Sequence, residues 1–136
     1  VESSVTYPLT STVSATVTGL VTFGDQTLTG LNIKDYYAAD SFTWSTPSTS
    51  TAIQRLSTPD GNWPAEMDMN STRYAQFAVT PVSKTFTIDT ISFYVGGAGG
   101  NGVGYKAQYS TASDFSSPVD LATTSGMAKN AMTPCT

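Results

Sequence analysis

The sequence predicts an all-β fold, an antiparallel β-sandwich of the jelly-roll-like kind, built as one domain over residues 1–136. Charged residues make up 12% of the chain, about half the usual share, whereas Ser and Thr together reach about 30%. Thr favours strands because its branched Cβ fits a pleated surface, and Ser favours turns. Segments of alternating apolar and polar residues recur about every 10 residues with turn signals between them, as in sandwiches and jelly rolls.

The N-terminal part of the chain is predicted to hold the first strands. Between residues 5 and 23, Val and Ala alternate with Thr, which indicates one half-buried strand or two strands around Gly19. A short strand follows over 28–33 and bends at Gly30. The stretch from 34 to 51, which is rich in Ser, Thr and Pro from 41 to 51, is expected to be a long surface loop with room for one short strand.

The rest of the chain alternates strands with strong turn signals. The clearest strand pattern covers 85–95, where the apolar face switches near Asp89-Thr90 and predicts a bulge, or an end and a restart. The other predicted elements, in order, are a strand over 52–56, a turn at 58–62, a strand over 72–80, a glycine-rich loop at 96–104, a returning strand over 104–110 and a turn-rich end over 111–136 with one helical turn near 125–128.

The residue inventory argues against an enzyme. The chain has no histidine and one cysteine, Cys135, so Ser–His and Cys–His nucleophile pairs and an ordinary structural zinc site are excluded. The loop at 96–104 lacks the Lys and the Ser/Thr of a phosphate-binding P-loop. We therefore expect no catalysis, with a small lyase or hydrolase that uses acids and Lys or Arg as the remaining enzyme alternative.

Net charge and hydropathy limit the classes of partner that we expect. The net charge is −4, the pI is about 4.3, and the six basic residues are scattered, so a basic face for nucleic acid is not expected. No apolar run approaches the ~20 residues that span a bilayer. We expect a secreted or cell-surface protein, although a single cysteine gives this expectation no support from disulfides.

Aromatic residues beside turns are the candidate ligand-binding residues. Flat aromatic faces with polar neighbours suit sugar rings, which have apolar C–H faces and hydroxyl edges. Basic side chains could pair with the carboxylates of acidic sugars. The alternative is that the Trp residues pack in a core and that Arg73 pairs with a neighbouring acid. The candidates are Tyr36, Tyr37, Trp44, Trp63, Arg55 and Arg73, with Lys34 and Lys106 as further cations.

Acidic residues near the 58–62 turn are candidate metal ligands. Asp60 and Asp68, together with Glu66, could supply oxygen atoms to a structural calcium ion, which prefers six to eight such ligands. The simpler interpretation is that these acids stabilise turns through local hydrogen bonds. The nearby Asn70-Ser71-Thr72 is an N-glycosylation sequence, which marks a surface position.

Several stretches together resemble one family. They are Gln54-Arg55, the GNWPA of 61–65, the RYAQFAVTP of 73–81, the FTIDTISF of 86–93, the glycine-rich turn, and Tyr109-Ser110-Thr111 with Asp114-Phe115. Over roughly residues 20–130 the chain resembles β-sandwich modules of secreted bacterial pectate lyases and pectinesterases. The resemblance implies a non-catalytic, jelly-roll-like module in an exported polysaccharide-degrading system, with a parent enzyme as partner.

Two functions follow as hypotheses. The first is a carbohydrate-binding module for plant cell-wall, pectic polysaccharide. The second is an extracellular structural or filament subunit, because such modules are expected to continue with further strands beyond Cys135-Thr136. A sandwich that is short of an edge strand can pair with another chain, and subunits that exchange strands in this way form homo-oligomers or open polymers.

Overall fold

The protein is all-β in the part of the chain that the structure describes. This computed structural model describes residues 4–7, 9, 14–19, 21–37, 53–61, 63–64, 66, 68–82, 85–97, 103–127 and 132–136. These residues form twelve short strands, each paired antiparallel with one neighbour, and none of them is helical. No helix in these ranges is therefore long and apolar enough to cross a membrane.

The chain divides into two compact units. The first comprises residues 1–39, 50–66 and 70–88, and the second comprises 40–49, 67–69 and 89–136. Strands β1 to β8 belong to the first unit and strands β9 to β12 to the second. That residues 1–136 form a single domain stays a prediction.

The first unit contains four antiparallel strand pairs. Glycines with positive φ separate consecutive strands at Gly19 (φ 106°) and Gly30 (φ 61°), as the sequence predicted for a break and a bend. The pairs are β1 (Ser4–Thr6) with β2 (Thr16–Thr18), β3 (Val21–Phe23) with β8 (Val79–Pro81), β4 (Thr27–Thr29) with β7 (Tyr74–Gln76), and β5 (Asn32–Tyr37) with β6 (Ile53–Ser57).

Strand β5 extends into the predicted loop. Residues 34–51 were expected to be a surface loop with room for one short strand, and residues 34–37 continue β5, because residues 35–37 pair with the backbone of β6. The predicted strand over 72–80 is interrupted, since residues 77–78 separate β7 from β8. The remainder of the predicted loop, 38–51, lies outside the described residues.

The buried side chains of the first unit include both apolar and polar ones. Leu31 is 8% exposed, and Gln26, just before β4, is 6% exposed. The side-chain amides of Gln26 and Gln54 donate to each other's oxygen, at 2.9 Å in both directions. Near the N-terminus, the Tyr7 ring packs edge-on against Phe77 with ring centroids 4.6 Å apart.

The second unit contains two strand pairs. Strand β9 (Phe93–Gly96) pairs with β12 (Met132–Cys135), and the longer β10 (Val103–Tyr109) pairs with β11 (Val119–Met127). The rings of Phe93 and Tyr105 meet edge-on, 5.5 Å apart. The helical turn expected near 125–128 is wrong over 125–127, because these residues form the end of β11, where Met127 pairs with Val103 of β10. Residue 128 lies outside the described residues.

The strongest strand pattern of the sequence is only partly a strand. Within the predicted strand 85–95, residues 93–95 belong to β9, whereas residues 85–92 lie in no described strand and are all exposed. The apolar residues change side at Asp89-Thr90, with Phe86 and Ile88 before the change and Ile91 after it. Neither face of this segment therefore carries a continuous apolar row, and the strand restarts at Phe93.

Candidate functional site

The loop that follows β6 is the strongest candidate site, and we call residues 58–66 the Trp63 loop. It begins with a turn in which the Gly61 N–H donates to the Thr58 carbonyl, 2.9 Å away. Gly61 has φ 82°, a conformation that glycine adopts without a steric penalty. The Thr58 hydroxyl donates to the Asp60 carboxylate, which is the local bond that Asp commonly makes in turns.

One side of the Trp63 loop is attached to strand β5. The Lys34 Nζ donates to the Gly61 carbonyl at 2.7 Å. Lys34 lies in β5 and Gly61 lies two residues before Trp63. This bond therefore fixes the entry to the tryptophan against a paired strand.

The other side of the loop is attached to the turn that precedes β7. Glu66 Oε1 forms an ion pair with Arg73 Nη1, and it also accepts a hydrogen bond of 2.7 Å from Asn70 Nδ2. The Glu66 N–H also donates to the Pro64 carbonyl at 2.8 Å.

The turn that carries Asn70 and Arg73 is itself well bonded. The Arg73 N–H donates to the Asn70 carbonyl at 3.1 Å. The Asn70 side-chain oxygen accepts from the Thr72 N–H at 3.0 Å and from the Thr72 hydroxyl at 2.6 Å. Asn is favoured at the first position of such turns for this reason. The turn leads directly into β7, so Arg73 lies immediately before the first residue of that strand.

Trp63 lies between these two attachments and its side chain faces solvent. It is 48% exposed, among the largest exposed fractions of any aromatic side chain in the described residues. Its Cα can lie no farther than about 7 Å from that of Gly61 and about 11 Å from that of Glu66, given the reach of an extended chain. The indole is thus an exposed aromatic surface on a loop fixed at both sides.

Glu66 is held in its charged form. The hydrogen bond from the Asn70 side chain, and after it the bond and charge of Arg73, lower the pKa of Glu66 below its ordinary value. At neutral pH the Glu66 carboxylate is therefore ionised and compensates the charge of Arg73. The nitrogen of Arg73 that faces Glu66 is buried.

The six predicted ligand-binding residues fall into three groups. Trp63 lies three residues before Glu66 in the chain, and Glu66 forms the ion pair with Arg73. Tyr36, Tyr37 and Arg55 share the β5–β6 pair, where Tyr36 lies opposite Gln54, Tyr37 opposite Ile53, and Arg55 opposite Asp35. Trp44 lies outside the described residues. Arg55 takes part in an interaction of its own.

The predicted metal ligands are placed in separate parts of the chain. Asp60 belongs to the first unit and Asp68 to a segment of the second, and both are exposed. Among the described residues, no three Cys, Asp or Glu side chains come together as a group that could hold a metal ion. A calcium site at Asp60 and Asp68 stays a prediction.

Sequence reasoning missed the roles of three residues at this site. Lys34 was considered as a partner for sugars and Glu66 as a calcium ligand, but both bind other parts of the protein. Asn70 was noted only for its glycosylation sequence, yet its amide connects Glu66 to the turn. The signal that could have revealed this connection is Asn at the first position of a turn followed by Ser-Thr, with Glu66 and Arg73 on either side.

Comparison with known proteins adds no relative to this picture: no family model, no curated protein and no solved structure matches the chain. The resemblance to modules of pectate lyases and pectinesterases stays a prediction. The site must be interpreted from its own geometry.

Proposed function

We propose that this chain is a non-catalytic, exported carbohydrate-binding module with a β-sandwich, jelly-roll-like fold, and that it binds plant cell-wall polysaccharide of the pectic class. The observation that carries the proposal is Trp63, a half-exposed indole on a loop attached on both sides. An aromatic face with polar groups nearby suits the apolar face and hydroxyl edge of a sugar ring.

The contacts that hold the Trp63 loop also support the proposal that it binds a ligand. A ligand that binds to a mobile loop loses affinity because the loop must be ordered on binding. Lys34 bonds to the backbone two residues before Trp63, and Glu66, three residues after it, pairs with Arg73. We propose that these two contacts reduce the ordering that a ligand must impose on the loop.

The carboxylates favour binding over glycoside hydrolysis. A glycosidase needs a general acid whose pKa is raised so that it holds a proton near neutral pH. The pKa values of Glu66, Asp114 and Asp120 are lowered instead, chiefly by hydrogen bonds from Asn70, Ser116 and Lys106 respectively. The absence of histidine from the sequence removes the commonest alternative acid or base.

The test compares Trp63→Ala with a matched loss of an exposed aromatic elsewhere. Phe86 is 42% exposed and lies in no described strand, so Phe86→Ala is the control. In affinity electrophoresis through pectin, arabinan and galactan, Trp63→Ala should weaken retention about tenfold, or ~1.4 kcal/mol. Phe86→Ala should be retained like the unchanged protein, and both variants should keep its far-UV circular dichroism. Equal retention of all three proteins would contradict the assignment of Trp63.

A second candidate function, a structural subunit, is favoured by one observation. Residues 85–92 are exposed, lie in no described strand, and contain neither Gly nor Pro, and Phe86, Ile88 and Ile91 are each at least 40% exposed. An unpaired segment rich in β-branched and aromatic residues is a template for pairing with another chain. The occupant we propose is the same segment of a second copy.

Light scattering with electron microscopy tests this second candidate. The unchanged protein should form regular oligomers or filaments at high concentration. Ile88→Lys should keep it monomeric, because a charge on this segment opposes strand pairing. A single monomeric mass for the unchanged protein at high concentration would remove the structural-subunit function and leave the binding module.

A further inference from the structure

The cations that were expected to recognise acidic sugars already have partners in the protein. Lys34 donates to the Gly61 carbonyl at 2.7 Å, Arg73 pairs with Glu66, and Lys106 lies 2.9 Å from an Asp120 oxygen. Arg55 is engaged in an interaction of its own. The other two basic residues, Lys84 and Lys129, lie outside the described residues.

We infer that the Trp63 loop selects neutral sugar rings and disfavours uronates, an inference that rests on the proposed carbohydrate-binding function. Pectic polysaccharide contains both kinds of sugar, an acidic backbone and neutral side chains. The inference therefore names the part of the polysaccharide that the module binds.

The state of Arg73 is the first reason. The guanidinium nitrogen that meets Glu66 is buried, so a carboxylate arriving from solvent cannot reach it without displacing Glu66. Displacement of Glu66 breaks two interactions at once, because the same carboxylate oxygen forms the ion pair with Arg73 and accepts a hydrogen bond from Asn70, 2.7 Å away.

The charges around the loop are the second reason. Within the described part of the Trp63 loop, Asp60 and Glu66 are acidic, and the two cations that contact the loop, Lys34 and Arg73, balance them. A uronate thus meets a loop whose positive charge is already compensated, on a chain with a net charge of −4. Coulomb attraction gives such a ligand no advantage.

A neutral sugar can bind at this site without an ion pair. Its hydroxyls can donate to the Glu66 carboxylate, which stays paired with Arg73. Its apolar face can stack on Trp63. Each of these contacts leaves the ion pair of Glu66 with Arg73 in place.

Isothermal titration calorimetry of the whole chain tests the inference at pH 7. The neutral probes are galactotetraose, arabinotetraose and xylotetraose, and the acidic probe is tetragalacturonate. At least one neutral probe should bind at least tenfold more tightly than the uronate, with little dependence on salt. Tetragalacturonate binding that is as tight as that of every neutral probe, and that weakens with salt, would overturn the inference but keep the proposed function. Binding of none of the four probes would overturn the proposed function itself.

A variant that removes the charge of Glu66 tests the role of this residue directly. Glu66→Gln leaves Arg73 without its compensating carboxylate, so the affinity for tetragalacturonate relative to that for the neutral probes should rise about fivefold or more, by attraction to an uncompensated charge. The ratio is compared because release of the loop weakens the binding of both kinds of probe. The control is Asp120→Asn, which removes the same charge from a comparable pair with Lys106 on strand β11 and should change uronate affinity by less than twofold. An equal gain in the two variants would mean that net charge alone sets the selectivity and would overturn the role of Glu66.

Discussion

Oε1 of Glu66 and Nη1 of Arg73 form an ion pair that connects the Trp63 loop to the turn before strand β7. The same carboxylate oxygen accepts a hydrogen bond from Asn70, and Asn70 in turn organises the backbone of that turn. One carboxylate thus ties the exposed indole to the paired strands of the first unit. We expect the orientation of Trp63 to depend on this connection.

Acid should release the Trp63 loop. Because the folded-state pKa of Glu66 lies below its ordinary value, the stabilisation from its charge is fully present above the unfolded pKa of about 4.3. It is lost as the pH falls through the lower, folded value. In a Trp44→Phe background, which leaves Trp63 as the only indole, the fluorescence emission should shift below about pH 4.3.

Two variants test whether Glu66 causes this shift. Glu66→Gln cannot titrate, so its emission should already resemble the acid form near neutral pH and should change little on acidification. Asp120→Asn should keep the acid-induced shift, although Asp120 also has a lowered pKa through Lys106 and Gln108. If Glu66→Gln shows the same pH profile as the unchanged protein, another carboxylate controls the loop.

Gly30→Ala should destabilise the first unit. Gly30 has φ 61°, where an L side chain is strained, and an added Cβ would also collide with the Thr72 carbonyl and lie 3.3 Å from Arg73 Cγ. The strain alone costs about 1–2 kcal/mol, and the collision adds to it because a backbone group must move. The free energy of unfolding in urea should fall by more than this strain.

Substitutions at two other glycines distinguish backbone strain from steric collision. Gly61 has a positive φ, 82°, but an added Cβ would meet open space, so Gly61→Ala should show the cost of the backbone strain alone. Gly24→Ala, whose Cβ would find only Ala78 Cβ at 4.0 Å, should be close to neutral. A loss for Gly30→Ala no larger than that for Gly61→Ala would show that the turn at Thr72 adapts to the added methyl group.

The amide pair of Gln26 and Gln54 should behave as a coupled unit. Each side chain donates to the other at 2.9 Å, and Gln26 is 6% exposed. Gln26→Leu or Gln54→Leu alone leaves one amide without its partner, at a cost of about 1–3 kcal/mol. The double variant should recover most of that loss, because both partners are then apolar. Strict additivity in a double-mutant cycle by urea denaturation would contradict this coupling.

Particular elements show how far the sequence predicts this fold. The breaks at Gly19 and Gly30 and the turn around Gly61 are predictable because positive φ depends on the residue itself. Strand β11 was not predicted, since its Ser, Thr and Gly residues do not alternate and it depends on β10 for its pairing. Residues 85–92 have high β propensity but lie in no described strand, because propensity alone supplies no hydrogen-bonding partner.

At the candidate site, too, the sequence predicted some features and the tertiary structure decided others. The sequence predicted Trp63 and Arg73 as ligand-binding residues from their types and their position beside turns. The groups that Arg73 and Lys34 bind depend on which segments of the chain lie side by side. From side-chain chemistry alone, a sugar carboxylate, an acidic side chain of the protein and a backbone carbonyl could each accept their hydrogen bonds. The structure assigns them to Glu66 and to the Gly61 carbonyl.

By itself, the sequence determined the all-β class, the glycine turns and the exclusion of Ser–His and Cys–His nucleophile pairs and of an ordinary structural zinc site. These properties follow from the local preferences of single residues and from residue types that the chain lacks. Only the tertiary structure decided that the cations near Trp63 are already engaged and that the indole lies on a loop fixed from both sides. The physical reason is that ion pairs and exposure depend on contacts between segments distant in the chain, which local preferences do not specify.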